Sequence, residues 1–283
     1  MIGGYSGNAV QNGAYGATIA GGCRSGYANM VTDDLGVVGG GLHNQAGVAS
    51  TVAGGQNNTA GGASTAAGGF GNSAGGDSSF AGGEYNTASG TGATVARGFN
   101  NRAGGNFSFA AGKNATATHD GSFVWGGGSG NSLSSYGANT VSFGATGGAT
   151  FVTGFDSSGN PSAGVTVYGG GGTWASLSDR KAKRNFRPID RQALLARLAR
   201  IPITRWSYKT QAPSIRHLGP TAQAFHRAFR LGEDRRHIDT IDPEGVLAAI
   251  EGLYRQNQAL ARQNRRLGAR LASLERAVAA TKK

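Results

Sequence analysis

Two hydrophobic rhythms divide this chain. Over residues 17–127 apolar side chains come singly or in pairs, small or β-branched, between Gly and Asn turns. Aligned on itself, the chain repeats as TVAGGQNNTAGGAS (51–64), TAAGGFGNSAGGDS (65–78), SFAGGEYNTASGTGA (79–93), TVARGFNNRAGGNF (94–107) and SFAAGKNATATHDG (108–121). A small residue precedes the turn at Ala53, Ala67, Ala81, Ala96, Ala110 and Val124, and an asparagine follows at Asn58, Asn72, Asn86, Asn101 and Asn114. VVGGGLHNQAG (37–47) and ATIAGG (17–22) are looser copies. Each unit of about 14 residues predicts two short strands. Helices are disfavoured, because Gly costs ~1 kcal/mol per helical position relative to Ala. One unit per coil gives a β-solenoid with a ladder spacing of about 4.8 Å. Asn and Gly suit left-handed corners. Val52, Phe80, Val95, Phe109 and Phe123 are expected to point to a shared interior. The alternative is a flexible Gly/Ser linker, but linkers do not keep asparagine in register over five units.

Residues 128–177 alternate apolar and small residues around SSGNP and GGGG, which predicts a connector of a few antiparallel strands. Trp174 is expected to plug a packing site, with a binding role as the alternative. After Leu177 the rhythm turns helical. Asp190 is placed to cap a helix over 191–200 with the stripe Leu194, Leu195, Leu198 and Ile201, and Pro202 ends it. ITRWSYK reads as a strand with Trp206 and Tyr208 on one face. A second helix has Pro220 in its first turn, Phe225 and Phe229 at i, i+4, and Gly232 as a cap. HIDTIDPEG reads as a short strand, and Asp242-Pro243 opens a third helix. In that helix Ile250, Leu253, Asn257, Leu260, Asn264, Leu267, Leu271, Leu274 and Val278 alternate in steps of three and four. This is the seam of a parallel coiled coil, with asparagine at two a positions. The expected domains are 1–127 (repeats), 128–177 (connector), 178–249 (a small mixed domain) and 250–280 (coiled coil).

Composition sharpens the divide. Of 51 Gly in 283 residues, 46 lie in 1–177, which carry 4 Lys/Arg and 6 Asp/Glu, a net charge of −2. Residues 178–283 carry 23 Lys/Arg against 9 Asp/Glu, a net charge of +14. Cys23 stands alone, which excludes a disulfide framework or a Cys-based zinc cluster within one chain. No H-E-x-x-H or G-x-x-x-x-G-K-[ST] pattern is present, so no metal and no other cofactor is expected. The six acids of 1–177 are scattered and offer no glycosidase pair. No apolar run of ~18 residues predicts membrane insertion, and MIGGYSGNAVQNGAYG lacks the pattern of a signal peptide. A lone solenoid chain has little to bury, so an oligomer that covers one face of each coil is expected.

Two resemblances follow from these residues. The units over 17–127 resemble the head repeats of trimeric autotransporter (YadA-like) adhesins, which implies a left-handed parallel β-roll packed as a trimer. SDRKAK, the W-x-Y strand, RHLGPTAQAF and the DPEGVLAAIEGLY entry into a coiled coil stand in order over 178–283. They resemble the endosialidase-type intramolecular chaperone domain of phage tail spikes, tail fibres and related bacterial surface proteins. The implied architecture is a mainly β N-terminal part plus an α+β chaperone domain ending in a parallel three-stranded coiled coil. That resemblance further implies a domain that trimerises the fibre ahead of it and then cuts itself off with a serine–lysine pair. The S-D-x-x-x-K motif maps onto Ser178 and Lys183, so the cut falls between Leu177 and Ser178, at the composition step. R-H-x-G-P maps onto Arg216, His217, Gly219 and Pro220; Asp179, His217 and Gly219 are supporting residues. Ala224 departs from the pattern, standing where the family often has an acid.

A serine hydroxyl is a poor nucleophile until a base takes its proton. Lysine can do so only if its pKa falls from ~10.4 toward ~7–8. Arg180, Lys181 and Arg184 flank Lys183, and like charges together with burial in an assembled trimer disfavour a protonated amine. Lys181 is the rival base. The plainer reading is that Ser178-Asp179 caps a turn and the cations are solvated. His217 is either catalytic or, as preferred, a core histidine holding the RHLGP turn.

The expected protein is a homotrimeric tail-fibre or adhesin-like structural protein of a phage virion or bacterial surface, with one self-cleavage per chain. An uncleaved adhesin with a permanent C-terminal trimerisation clamp is the alternative. Contact with a host receptor or glycan falls to the N-terminal part. Nucleic-acid binding is suggested by the +14 charge but disfavoured, because the coil's arginines spread over its outer face without interleaved aromatics.

Overall fold

A computed structural model describes residues 1–128, 130–231, 234–238 and 246–281. The chain forms two compact units, Met1–Ala175 and Ser176–Lys283.

The first unit is mainly a parallel β-solenoid of about eight turns. Its strands build two nine-stranded sheets, one from Ala9–Val10 to Leu133–Ser134 and the other from Thr18–Ile19 to Val141–Gly144. Consecutive strands alternate between the sheets, and neighbours within each sheet are parallel. The interior is narrow and takes one small side chain from each sheet per coil. Ala60 faces Ala66, Ala74 faces Ala81, Ala88 faces Val95, and Ala103 faces Ala110, all buried.

This register corrects the expected interior. Val52 and Val95 are buried, but Phe80, Phe109 and Phe123 are not; Ala81, Ala110 and Val124 fill those coils. Because strand side chains alternate, a one-residue shift turns a ring outward, and a coil of this width has no room for one. Phe109 and Phe123 instead stack flat on the outside, centroids 4.8 Å apart. The shift comes from the corner after the second strand. It spans Ala60 to Ser64 in one coil but Ala74 to Ser79 in the next, one residue longer. The column Ala53, Ala67, Ala81, Ala96, Ala110, Val124 therefore mixes outer and inner positions, with Ala53, Ala67 and Ala96 exposed.

A buried asparagine ladder closes the other corner. Asn58 donates through Nδ2 to the carbonyls of Gly54 (3.0 Å) and Gly69 (3.1 Å), and its Oδ1 accepts the Asn72 amide (3.0 Å). Asn72, Asn86 and Asn101 hand the same contact upward. Asn114 is not a rung: the Asn101 Oδ1 accepts from Ala115, and Asn114 belongs to the preceding, left-handed column with Asn57, Tyr85 and Asn100. The glycines facing the ladder are required there. Gly69 has φ +100°, and a Cβ on it would run into the Gly83 carbonyl of the next coil.

The parallel ladder also passes the expected boundary at 127 and ends at Val141–Gly144. Beyond it Gly148–Phe155 and Pro161–Tyr168 form an antiparallel hairpin, joined by a turn in which Asp156 accepts from the Ser158 and Asn160 amides, and share a three-stranded sheet with Ala175–Ser176. Asp156 titrates below the usual carboxylate range because the Asn160 backbone amide and side chain bond to it. Trp174 does not plug a packing site. It is 62% exposed and only leans on Phe151, centroids 5.7 Å apart, since the glycine run before it offers nothing to bury a ring.

The second unit is small and largely helical. Helix α1 (Arg191–Leu198) is capped by Asp190, which accepts from the Gln192 and Ala193 amides. Strands Thr204–Trp206 and His217–Gly219 pair antiparallel. Helix α2 (Ala222–Phe229) starts after Thr221, whose hydroxyl accepts from Ala224, so Pro220 lies outside it rather than in its first turn. Its end is Arg230 in the left-handed conformation; Gly232 lies outside the described residues. Phe225 and Phe229 meet at 5.0 Å. The expected strand over 237–245 and the Asp242-Pro243 helix start also fall mostly outside the described residues. Helix α3 (Val246–Thr281) runs 36 residues and packs its first turns on α1, where Gln192 Nε2 donates to the Gly252 carbonyl at 3.3 Å. Its heptad leucines, Leu253, Leu260, Leu267, Leu271 and Leu274, are exposed in the single chain; the side chain of Val278 is outside the described set.

Candidate functional site

Ser178 is the third residue of the C-terminal unit, two residues after the short strand Ala175–Ser176. A single 3₁₀ turn, Arg180–Ala182, follows. It forms because Asp179 accepts the Lys181 amide in its side chain (2.8 Å) and the Ala182 amide at its carbonyl (3.1 Å). The Lys183 amide closes the turn on the Arg180 carbonyl at 3.2 Å. Lys183 leaves the turn in an extended conformation (φ −115°, ψ 153°), and its Nζ donates to Ser178 Oγ at 2.6 Å.

Both side chains are exposed in the single chain. As an ammonium, Lys183 donates to the hydroxyl and cannot also accept its proton. Deprotonation must therefore precede any base role. Lys181 makes no bond to Ser178; its amide is spent on Asp179. Two features here have no counterpart in the expected site. Arg180 lays its guanidinium over the Phe186 ring at 4.4 Å, a cation–π contact that orients the turn. Asn185 has φ +60°, which reverses the chain after Lys183. The basic and aromatic residues six apart, with asparagine between them, were the available signals.

His217 sits in a different place. Its ring stacks on Trp206 (4.7 Å, 26°) and meets Tyr208 edge-on at 5.4 Å, and Nε2 lies 2.8 Å from Gln211 Oε1. Among the described residues it bonds to neither Ser178 nor Lys183. Gly219 pairs with Thr204 at the end of the same hairpin. No group of His, Cys, Asp and Glu among the described residues could hold a metal ion, and no helix among them is long and apolar enough to cross a membrane.

The second unit is thus a small, largely helical module near whose start a serine meets a lysine. Residues 178–230 match the family described as chaperone of endosialidase. The family is of serine-peptidase type and associated with phage tails, and together with the β-solenoid it fits a tail-fibre-like structural protein. No curated protein matches the chain.

Proposed function

We propose that this protein is a homotrimeric fibre or adhesin-like shaft whose C-terminal domain drives assembly and then releases itself at Leu177–Ser178. The observation that carries the reading is the 2.6 Å contact of Lys183 Nζ with Ser178 Oγ inside the matched segment. Deprotonated Lys183 takes the hydroxyl proton, and Ser178 Oγ attacks the Leu177 carbonyl carbon. The C–N bond breaks as the proton passes to the departing amine, leaving an ester between Leu177 and Ser178 Oγ. Water then hydrolyses the ester to a Leu177 carboxylate and restores the serine hydroxyl. Lysine loses its proton more readily when buried among like charges. Arg180, Lys181 and Arg184 stand beside it, so burial of three such clusters in a trimer would switch the base on.

Two surfaces support assembly. Leu253, Leu260, Leu267, Leu271 and Leu274 of the α3 heptad seam are exposed, which fits a coiled coil between chains. On the solenoid, the sheet ending at Val141–Gly144 presents Ala53, Ala67, Ala96 and Ala111 outward, followed by Trp125 and Phe143. The opposite sheet presents Gln45, Thr59, Ser73, Arg102 and Thr116. The first face suits burial between copies and the second suits water.

The test is a gel of the expressed chain. Wild type should yield fragments 1–177 and 178–283, Ser178→Ala and Lys183→Ala should stay whole and trimeric by light scattering, and Lys181→Ala should cleave. Cleavage of Ser178→Ala would remove the assigned nucleophile. Uncleaved wild-type trimers would leave the permanent clamp instead. A receptor or glycan, if bound, belongs to the shaft.

A further inference from the structure

Three arginines of the C-terminal unit meet at one place away from the serine–lysine pair. Helices α1 and α2 end side by side around a cleft of about 300 Å³. Arg197 and Arg200 come from the end of α1, and Arg227 from the last turn of α2. The floor is apolar: Ile201, buried at 8% exposure, with Pro202, Ala224 and Ala228.

Among the described residues none of these three cations pairs with a carboxylate. Asp190 is engaged by the amides at the start of α1, and Asp234 by the amides of Arg236 and His237 and by the His237 ring. The C-terminal ends of the two helices carry at most about half a negative charge each, roughly −1 together. Three guanidinium groups exceed that by roughly two units. A guanidinium also presents a planar fork of donors matched to tetrahedral oxyanions, which an ammonium does not. A dianion with three or more terminal oxygens balances the excess; a single carboxylate leaves half of it. The cleft is at the small end of the range for small-molecule pockets. Its apolar floor gives the organic part of such a ligand a surface to cover.

We propose that the cleft between the C-terminal ends of α1 and α2 binds the phosphate group of a small phosphomonoester, with Arg197, Arg200 and Arg227 as its ligands. The site is independent of cleavage and needs only the folded second unit. Free phosphate and a phosphorylated sugar share the recognised group, and the apolar floor favours the second.

Isothermal titration of the full chain, carrying Ser178→Ala so that one species is present, tests this at constant ionic strength. The probes are glucose 6-phosphate, glucose, inorganic phosphate and citrate. Glucose 6-phosphate should bind at one site per chain, more tightly than inorganic phosphate, and glucose should not bind. Arg197→Gln, Arg200→Gln and Arg227→Gln should each weaken binding by roughly ten- to a hundredfold, the loss of one charge-assisted contact. Ala224→Glu removes no arginine but adds a carboxylate to the lining, and should abolish binding even if an arginine variant misfolds. Arg266→Gln, on the exposed side of α3, should change nothing. Absence of binding would overturn the site. So would equal weakening by Arg266→Gln, which would mean diffuse charge, or an unaffected Ala224→Glu. Tighter binding of citrate would overturn the choice of phosphate.

Discussion

Replacing Asn72 with alanine isolates the contribution of the asparagine ladder. Asn72 is 1% exposed. Its Nδ2 donates to Gly68 O (3.0 Å), Gly83 O (2.7 Å) and Asn58 Oδ1 (3.0 Å), and its Oδ1 accepts the Asn86 amide (3.1 Å). Alanine leaves the Asn86 N–H buried without an acceptor, at about 1–3 kcal/mol. The two glycine carbonyls are partly exposed and can bind water, so about 0.5–1 kcal/mol each is a fair discount. The expected cost is about 2–5 kcal/mol. Asn114→Ala is the control: its side chain bonds only to exposed groups, Asn100 and Gly130, so its cost should be about 1 kcal/mol, most of it from alanine's poorer fit to a φ of +56°. Asn72→Asp adds a sign. Burial beside two carbonyls raises the carboxyl's folded pKa above its unfolded value of ~3.9. The neutral form is therefore favoured in the fold, its advantage is complete below the unfolded pKa, and it is lost as pH rises through the folded pKa. The aspartate variant should be closer to wild type at pH 4 than at pH 7. Urea unfolding gives the energies, and hydrogen exchange at the Asn86 amide locates the defect. If Asn72→Ala costs no more than Asn114→Ala, or the Asn86 amide stays protected, the ladder does not carry the corner.

Gly69→Ala combines a positive φ with a Cβ driven into the Gly83 carbonyl, and should cost more than about 2 kcal/mol in the same urea assay, whereas Gly54→Ala, with open space around it, should cost less than about 1 kcal/mol. Arg230→Gly relieves a left-handed C-cap (φ 57°) and should raise the melting midpoint of the second unit by an amount equivalent to about 0.5–1 kcal/mol. Asp234 is held down to about 2, chiefly by the Arg236 amide, so its contribution to the 234–237 turn is present above pH ~4 and lost as pH falls through about 2; carboxyl NMR titration should find that midpoint rather than one near 4.

Local chemistry made much of this fold legible from residues alone. The parallel solenoid follows from a repeat of about 14 residues with Gly and Asn at the corners, since those corners need conformations that few other residues adopt. The Asp190 cap is readable because a cap is a contact between residues two and three apart. The serine–lysine pair was legible as a motif, but composition and spacing alone could not prefer Lys183 over Lys181. In the single chain the fifth residue onward, Lys183, lies against Ser178, and Lys181 makes no bond to it. Register was decided by tertiary packing. One extra corner residue between Ala74 and Ser79 turns Phe80 outward and Ala81 inward, because the coil's width admits alanine or valine and no ring. Asn114 stands one residue before the ladder position, which Ala115 takes. The three-arginine cleft was illegible for a different reason: Arg197 and Arg227 stand thirty positions apart, and only the meeting of two helix ends makes them neighbours. Spacing along the chain determines what is held by neighbours a few residues apart; side-chain volume and long-range contact decide the rest.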